Sequence, residues 1–258
     1  MSHTFLAIIA STGLFFGIVL SYFLGGWIAK RWPSLAKIDS GSTSMLDSAI
    51  YALMGLLIAF TFSGAASRFD DRRILVINEA NAIGTAYLRL DLLPAEAQLP
   101  LRDLFRRYVD ARLEMSSKLP DIQAAAVSGA LASHLQDQIW PVAVKACQDS
   151  GSVPTTTLLL AALNDMFDLA TYRNTVRTEL HPPQIIFMML LSLAMISACL
   201  AGYACSGSLT QNRVHLFAFA LITAGTFYVI LDLEYPRLGL IRIDSVDKVM
   251  LDLRNSMD

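Results

Sequence analysis

The chain has 258 residues, 54% of them hydrophobic and only 16% charged, and its 20 Lys+Arg against 22 Asp+Glu leave a net charge of −2. A soluble domain carries about 25% charged residues, so this composition excludes a disordered chain, an ordinary cytosolic enzyme and a basic nucleic-acid binder. It fits a membrane protein with a sizeable polar domain. The spacings of the three cysteines, Cys147, Cys199 and Cys205, match neither a zinc site nor a disulfide framework, so they read as unpaired thiols.

A spanning helix needs about 20 mostly apolar residues. Phe5 to Ala29 supplies such a run without a charge, and Ala49 to Ala66 supplies a second between Asp47 and Arg68. Ile185 to Cys205 is the third, and Val214 to Leu231 the fourth, with His215 near its start. The first run is too long for a signal peptide, and no Lys or Arg precedes it. The predicted division is therefore 1–66 with spans one and two, 67–184 as a polar domain, 185–233 with spans three and four, and 234–258 as a tail. The polar block holds 26 of the 42 charges.

Periodicity in that block is helical. Val76, Ala80, Ile83, Tyr87 and Leu90 form one stripe. Leu101, Leu104, Phe105, Tyr108 and Val109 form another, after Pro94 and Pro100. Asp103 with Arg107, and Arg106 with Asp110, stand four apart and read as pairs on the wetter faces. A third helix is predicted to start near Asp121 and to end or kink at Pro141. A fourth starts at Pro154, carries Leu159, Leu163, Met166, Phe167 and Ala170 on one face, and stops before Pro182-Pro183. No run of alternating β-branched residues argues for a sheet, so the fold class is all-α.

Basic residues near the span ends set the orientation. Arg68, Arg72, Arg73, Arg173, Arg177, Arg237, Arg242 and Lys248 lie on the side of the polar domain and the termini. Lys30, Arg31, Lys37 and Arg213 lie on the other. Eight against four predicts a cytoplasmic domain and cytoplasmic termini, although Lys30-Arg31 pulls the other way.

The most informative stretch is Met54 to Arg89, which no proline interrupts. It reads as one long helix leaving the membrane. Gly55, Ala59 and Ser63, four apart, allow close helix packing in lipid, either within one chain or between copies around an axis. In the second case Ala52, Leu56 and Phe60 face the axis as an apolar neck, and apolar constrictions gate ions by dewetting. Arg68, Asp71, Arg72 and Arg73, with Asp70 among them, fall at the membrane boundary. They read either as a solvated helix end meeting anionic head groups or as ion pairs between subunits, Arg68 with Asp71 of the next subunit being one candidate. Asn78, Glu79 and Asn81 continue the helix, as vestibule lining or as bridges to neighbouring helices.

The stretch AFTFSGAASRFDDRR resembles the end of the pore-lining helix of bacterial bestrophins. Their pattern of Gly-Phe, Ala, Arg, aromatic, acid and Arg corresponds to Ala59-Phe60, Ala65, Arg68, Phe69, Asp71 and Arg73. NEANAIGTAYLR occupies the place of their Asn-rich stretch, YRNTVRTELHPPQ that of their Thr-Pro-rich turn, and Glu234, Pro236 and Gly239 that of their acid, Pro and Gly after span four. More closely, RFDDRR, NEANAIGTAYLR and LLP resemble the bacterial bestrophin-like domain proteins. The resemblance implies a homo-oligomeric ion channel of a bacterial inner membrane, a pentamer, with lipid, further copies of the chain and a permeant inorganic ion as partners. Thr61-Phe62-Ser63 replaces an Arg-Thr-Asn of the bestrophin pattern, Asp70 replaces one of its paired aromatics, and no acidic cluster like the calcium clasp of animal bestrophins follows span four.

The rival reading is a non-conducting scaffold or signalling protein acting through its helical domain. Asp165 with Asp168, and His134 with Asp137, are too few for a metal site, and no phosphate loop, HExxH or nucleophile elbow occurs. No enzyme activity, cofactor, metal or nucleic-acid partner is expected. His181 before Pro182-Pro183 reads as a cap or pH sensor, and Asp232 and Glu234 as the last, near-water turn of span four.

Overall fold

The computed structural model describes residues 3–32, 40–119, 121–205 and 213–258. Lys37, one of the basic residues counted for orientation, lies outside the described residues. All described elements are helical: α1 His3–Arg31, α2 Ser40–Leu88, a 3-10 turn Arg89–Leu92, α3 Ala95–Ser117, α4 Ile122–Ser150, α5 Val153–Thr178, α6 Gln184–Ala204, α7 Arg213–Glu234 and α8 Asp244–Asn255. Four of them, α1, α2, α6 and α7, are long and apolar enough to cross a membrane. The chain divides into two compact units, Met1–Arg68 with Pro182–Tyr235, and Phe69–His181 with Pro236–Asp258.

In the first unit, Ile18 and Tyr22 of α1, Met54 of α2, Ala194 and Ala198 of α6, and Ala220 and Phe227 of α7 share one buried cluster. Close approach of α1 and α6 depends on two glycines. A Cβ on Gly25 would run into the Cys199 carbonyl, and one on Gly202 into the Tyr22 carbonyl. Small residues are what bring helices together where lipid is as apolar as the side chains. The Tyr51 hydroxyl donates to the Ser197 carbonyl at 3.0 Å and ties α2 to α6. Large apolar side chains such as Phe16 and Leu221 point outward.

The second unit has a conventional apolar core. All five residues of the Val76-to-Leu90 stripe are buried, as are Leu101, Phe105, Tyr108 and Val109 of α3. Burial pushes the Tyr108 hydroxyl up to about 12, and it accepts a hydrogen bond from Gln136 Nε2 at 3.1 Å. Asp121 caps α4, accepting from the backbone N–H of Gln123 and Ala124 at 3.1 and 3.0 Å, which satisfies two otherwise orphan donors. Gly151, at φ 63°, closes the other end of α4, and the left-handed turn suits a residue without Cβ. Ser152 then caps α5, which carries Pro154 in its first turn.

The structure bears on three further expectations. Pro141 does not end its helix, because α4 runs on to Ser150 with Leu135, Ile139, Ala143 and Ala146 buried on both sides of it. Packing before and after the proline outweighs its one missing hydrogen bond. Arg106 and Asp110 do not pair with each other. Arg106 Nε donates to the Met257 carbonyl at 2.9 Å, and Asp110 meets Arg254 Nε at 2.7 Å. Both contacts reach the last segment, expected as a tail from 234, which belongs to the second unit from Pro236 onward. Met250 and Met257 enter the core of the second unit, and the Tyr87 hydroxyl also donates to the Met257 carbonyl, at 3.0 Å.

Candidate functional site

The uncovered face of α2 is the first feature of interest. Leu56 and Phe60 are 51% and 65% exposed, and Ala52 on the same stripe is exposed as well. Gly55, Ala59 and Ser63 are also exposed, and a Cβ on Gly55 would meet nothing within 4 Å. Among the described residues the small-residue stripe therefore packs against nothing, and Gly25 and Gly202 fill that role instead. Thr61 turns its hydroxyl back to the Leu57 carbonyl at 2.7 Å, which satisfies it without a partner helix.

Arg68 follows this face. Its Nε donates to Glu234 Oε1 at 2.7 Å, and its Nη2 reaches the same oxygen. Glu234 is 1% exposed and Asp232 is 3% exposed, which corrects the reading of both as near-water residues. A buried acid at the end of an apolar helix is costly unless paired, and here Arg68 supplies a partner within the same chain. Asp71 is exposed. Arg72 is buried, with Nη2 donating to the Leu180 carbonyl at 3.3 Å. Arg73 pairs with exposed Asp70 at 3.1 Å and lies over the Phe69 ring. The four boundary residues thus have four different surroundings.

One turn further on, Asn78 and Asn81 are exposed, whereas Glu79 is fully buried. Glu79 does not line an aqueous vestibule. Its Oε1 accepts from Arg112 Nε at 2.6 Å and its Oε2 from Arg173 Nη1 at 2.5 Å. One carboxylate so joins α2 to α3 and α5. Arg112, on the amphipathic α3, is itself only 5% exposed. Burial works against the Arg112 cation, yet Glu79 holds its pKa above the ordinary value. Sequence spacing gives no sign of this triad, because its members lie 33 and 94 residues apart.

The bestrophin-like domain matches residues 16–247 of the chain. The chain belongs to the bestrophin-like family. Its fold is similar to that of a bacterial bestrophin homologue from Klebsiella pneumoniae. One single-residue variant of that homologue superposes with a TM-score of 0.67 at 16% identity, covering 95% of this chain and 97% of the other. A second variant gives 0.65 at 18% identity, with the same coverage. A structure described as a membrane protein gives 0.64 at 15% identity over 95% and 96% of the two chains. No curated protein matches significantly. This bestrophin-like chain is a membrane protein, all-α, with four apolar helices long enough to span.

Proposed function

We propose that the chain assembles around an axis lined by α2 and conducts inorganic ions through an apolar neck made of Ala52, Leu56 and Phe60. The observation that carries this reading is the uncovered face of α2. An apolar stripe and a small-residue stripe lie side by side on it, and neither is used inside the chain. Copies of the helix packed through Gly55, Ala59 and Ser63 would turn the neighbouring stripe toward a common axis. Stacked apolar rings there resist wetting, and an ion crossing them must shed or drag water. Family membership and the similarity to a bacterial bestrophin homologue support the same reading, including a pentamer as the assembly. Asn78 and Asn81 then line the space beyond the neck, and the Arg68–Glu234 pair fixes the middle of α2 against the end of α7. The second unit lies in the cytoplasm, as the basic-residue count implies.

Two measurements test this reading. Purified protein in liposomes should release a trapped inorganic ion faster than empty liposomes, and it should run as a ring-sized oligomer in detergent; a silent monomer contradicts both. For orientation, Ser133 is exposed on α4. A cysteine there should resist an impermeant thiol reagent added to intact cells, and labelling from outside would overturn the cytoplasmic assignment.

A further inference from the structure

A small enclosed cavity in the second unit is lined by Arg112, Ser116, Arg173, Asn174, Arg177 and Arg237, with Met115 and Leu119 at its apolar edge. Its free volume, as positions open to the centre of a water-sized sphere, is about 20 Å³. That is room for one particle of about this size. The charge around it is unbalanced. Arg112 and Arg173 share the single carboxylate of Glu79, while Arg177 Nη2 donates, among the described residues, to the neutral Asn174 Oδ1 at 2.7 Å. Three guanidiniums therefore meet one carboxylate. Burial first, and then the neighbouring guanidiniums of Arg112, Arg173 and Arg237, push the Arg177 pKa below its ordinary value. Arg237 adds a fourth guanidinium. It is 5% exposed, paired with Asp247 through Nη2 at 2.6 Å, and held at φ 85°, a conformation that non-glycine residues rarely adopt.

The polar groups around the cavity are donors. Arg112 Nη2 is buried without a hydrogen-bond acceptor among the described residues, although Arg112 Nε and Nη1 are used, on Glu79 and on the Met115 sulfur. Leaving a charged donor unmet is expensive. Ser116 Oγ accepts from Arg173 Nη2 at 3.3 Å, so its own proton remains to be given. Asn174 uses its carbonyl oxygen on Arg177, which leaves its amide N–H groups to donate. A water molecule must donate two protons of its own, and the acceptors here, Ser116 Oγ and Asn174 Oδ1, already take protons from Arg173 and Arg177. A cation is repelled. An anion accepts from every group present.

We propose that this cavity binds one inorganic anion of halide size, held by Arg112 Nη2 and Arg177 with Ser116 and Asn174 as supporting donors. The anion links α3 to α5 and completes the charge balance that Glu79 leaves open. Volume sets the size class, since a tetrahedral oxyanion needs several times the space. The proposal stands whether or not the assembly conducts.

The test is thermal unfolding of the purified full-length protein in sodium bromide, chloride, phosphate or gluconate at one ionic strength. Bromide and chloride should raise the midpoint in a saturable manner over gluconate, and phosphate should not. Arg177→Gln, at a half-buried residue outside any ion pair among the described residues, should fold and lose the halide response. Ser116→Ala keeps all the arginines and should raise the half-saturating bromide concentration about tenfold, the worth of one hydrogen bond to a charge. Crystals grown in bromide should show one anomalous peak within hydrogen-bond distance of Arg112 Nη2 and Arg177. Equal midpoints in bromide and gluconate, an equal response to phosphate, or an unchanged response in Ser116→Ala and any foldable Arg177→Gln would overturn the proposal.

Discussion

The two units differ in what they leave exposed and in what brings their helices together. In the second, large side chains such as Phe105, Leu101, Leu135 and Met166 lie inside, and charges lie outside except where they pair. In the first, Phe16, Leu20, Phe60 and Leu221 are exposed, while glycines and alanines make the tightest helix contact. Water drives the second arrangement through burial of apolar surface. Lipid removes that drive, so close contact between backbones decides the first. Side-chain size should therefore have opposite consequences in the two units.

Buried charge gives the largest expected effect. Glu79→Ala leaves Arg112 and Arg173 without their shared carboxylate and should destabilise the second unit by about 3–5 kcal/mol. Arg112→Ala should be comparably damaging, because this arginine is itself buried on α3. Thermal unfolding measures both. A shift no larger than that of Asp103→Ala, whose exposed pair with Arg107 spans 3.9 Å and is worth under about 1 kcal/mol, would mean that the triad does not hold the helices together.

Glycine substitution comes next and separates the units most sharply. Gly202→Val forces α1 and α6 apart and should cost about 1–3 kcal/mol or more. Gly55→Val meets nothing within the chain and should leave its fold unchanged, yet it should weaken the oligomer if copies pack through that stripe. Unfolding and native-mass measurements on both variants decide this. A destabilised Gly202→Val with an intact Gly55→Val oligomer would confine small-residue packing to the interior of one chain.

The smallest effect belongs to the closing segment. Tyr87→Phe removes one of two donors on the Met257 carbonyl and should cost about 0.5–1.5 kcal/mol, read as earlier loss of α8 protection in hydrogen exchange. No change there would detach α8 from the core stripe of α2.

Local spacing makes the second unit largely legible in the sequence. The Val76-to-Leu90 stripe, the Asp121 and Pro154 helix starts and the stop before Pro182 all follow from period and capping chemistry, which act over a few residues. Glu79 with Arg112 and Arg173, Arg68 with Glu234, and Arg254 with Asp110 are not legible, because nothing near each charge says which distant one it meets. The four spans are visible from composition alone, but their buried faces are not. Lipid-facing and helix-facing positions in α1 and α6 are equally apolar, so small residues such as Gly25 and Gly202 carry the cue, and it points at packing without naming the partner. The uncovered stripes of α2 were visible as spacing, and the remaining question is what covers them.

Phe60 and Phe16 give the most direct test of that question. Both are large, apolar and similarly exposed, at 65% and 63%, one on α2 and the other on α1. If Ala52, Leu56 and Phe60 form a neck, Phe60→Ala should widen it and raise ion flux from liposomes, each 1.4 kcal/mol of lowered barrier giving about a tenfold increase. Phe16→Ala, facing lipid, should leave flux at the wild-type rate. Equal flux from the two variants, with both folded and oligomeric, would contradict a neck on α2.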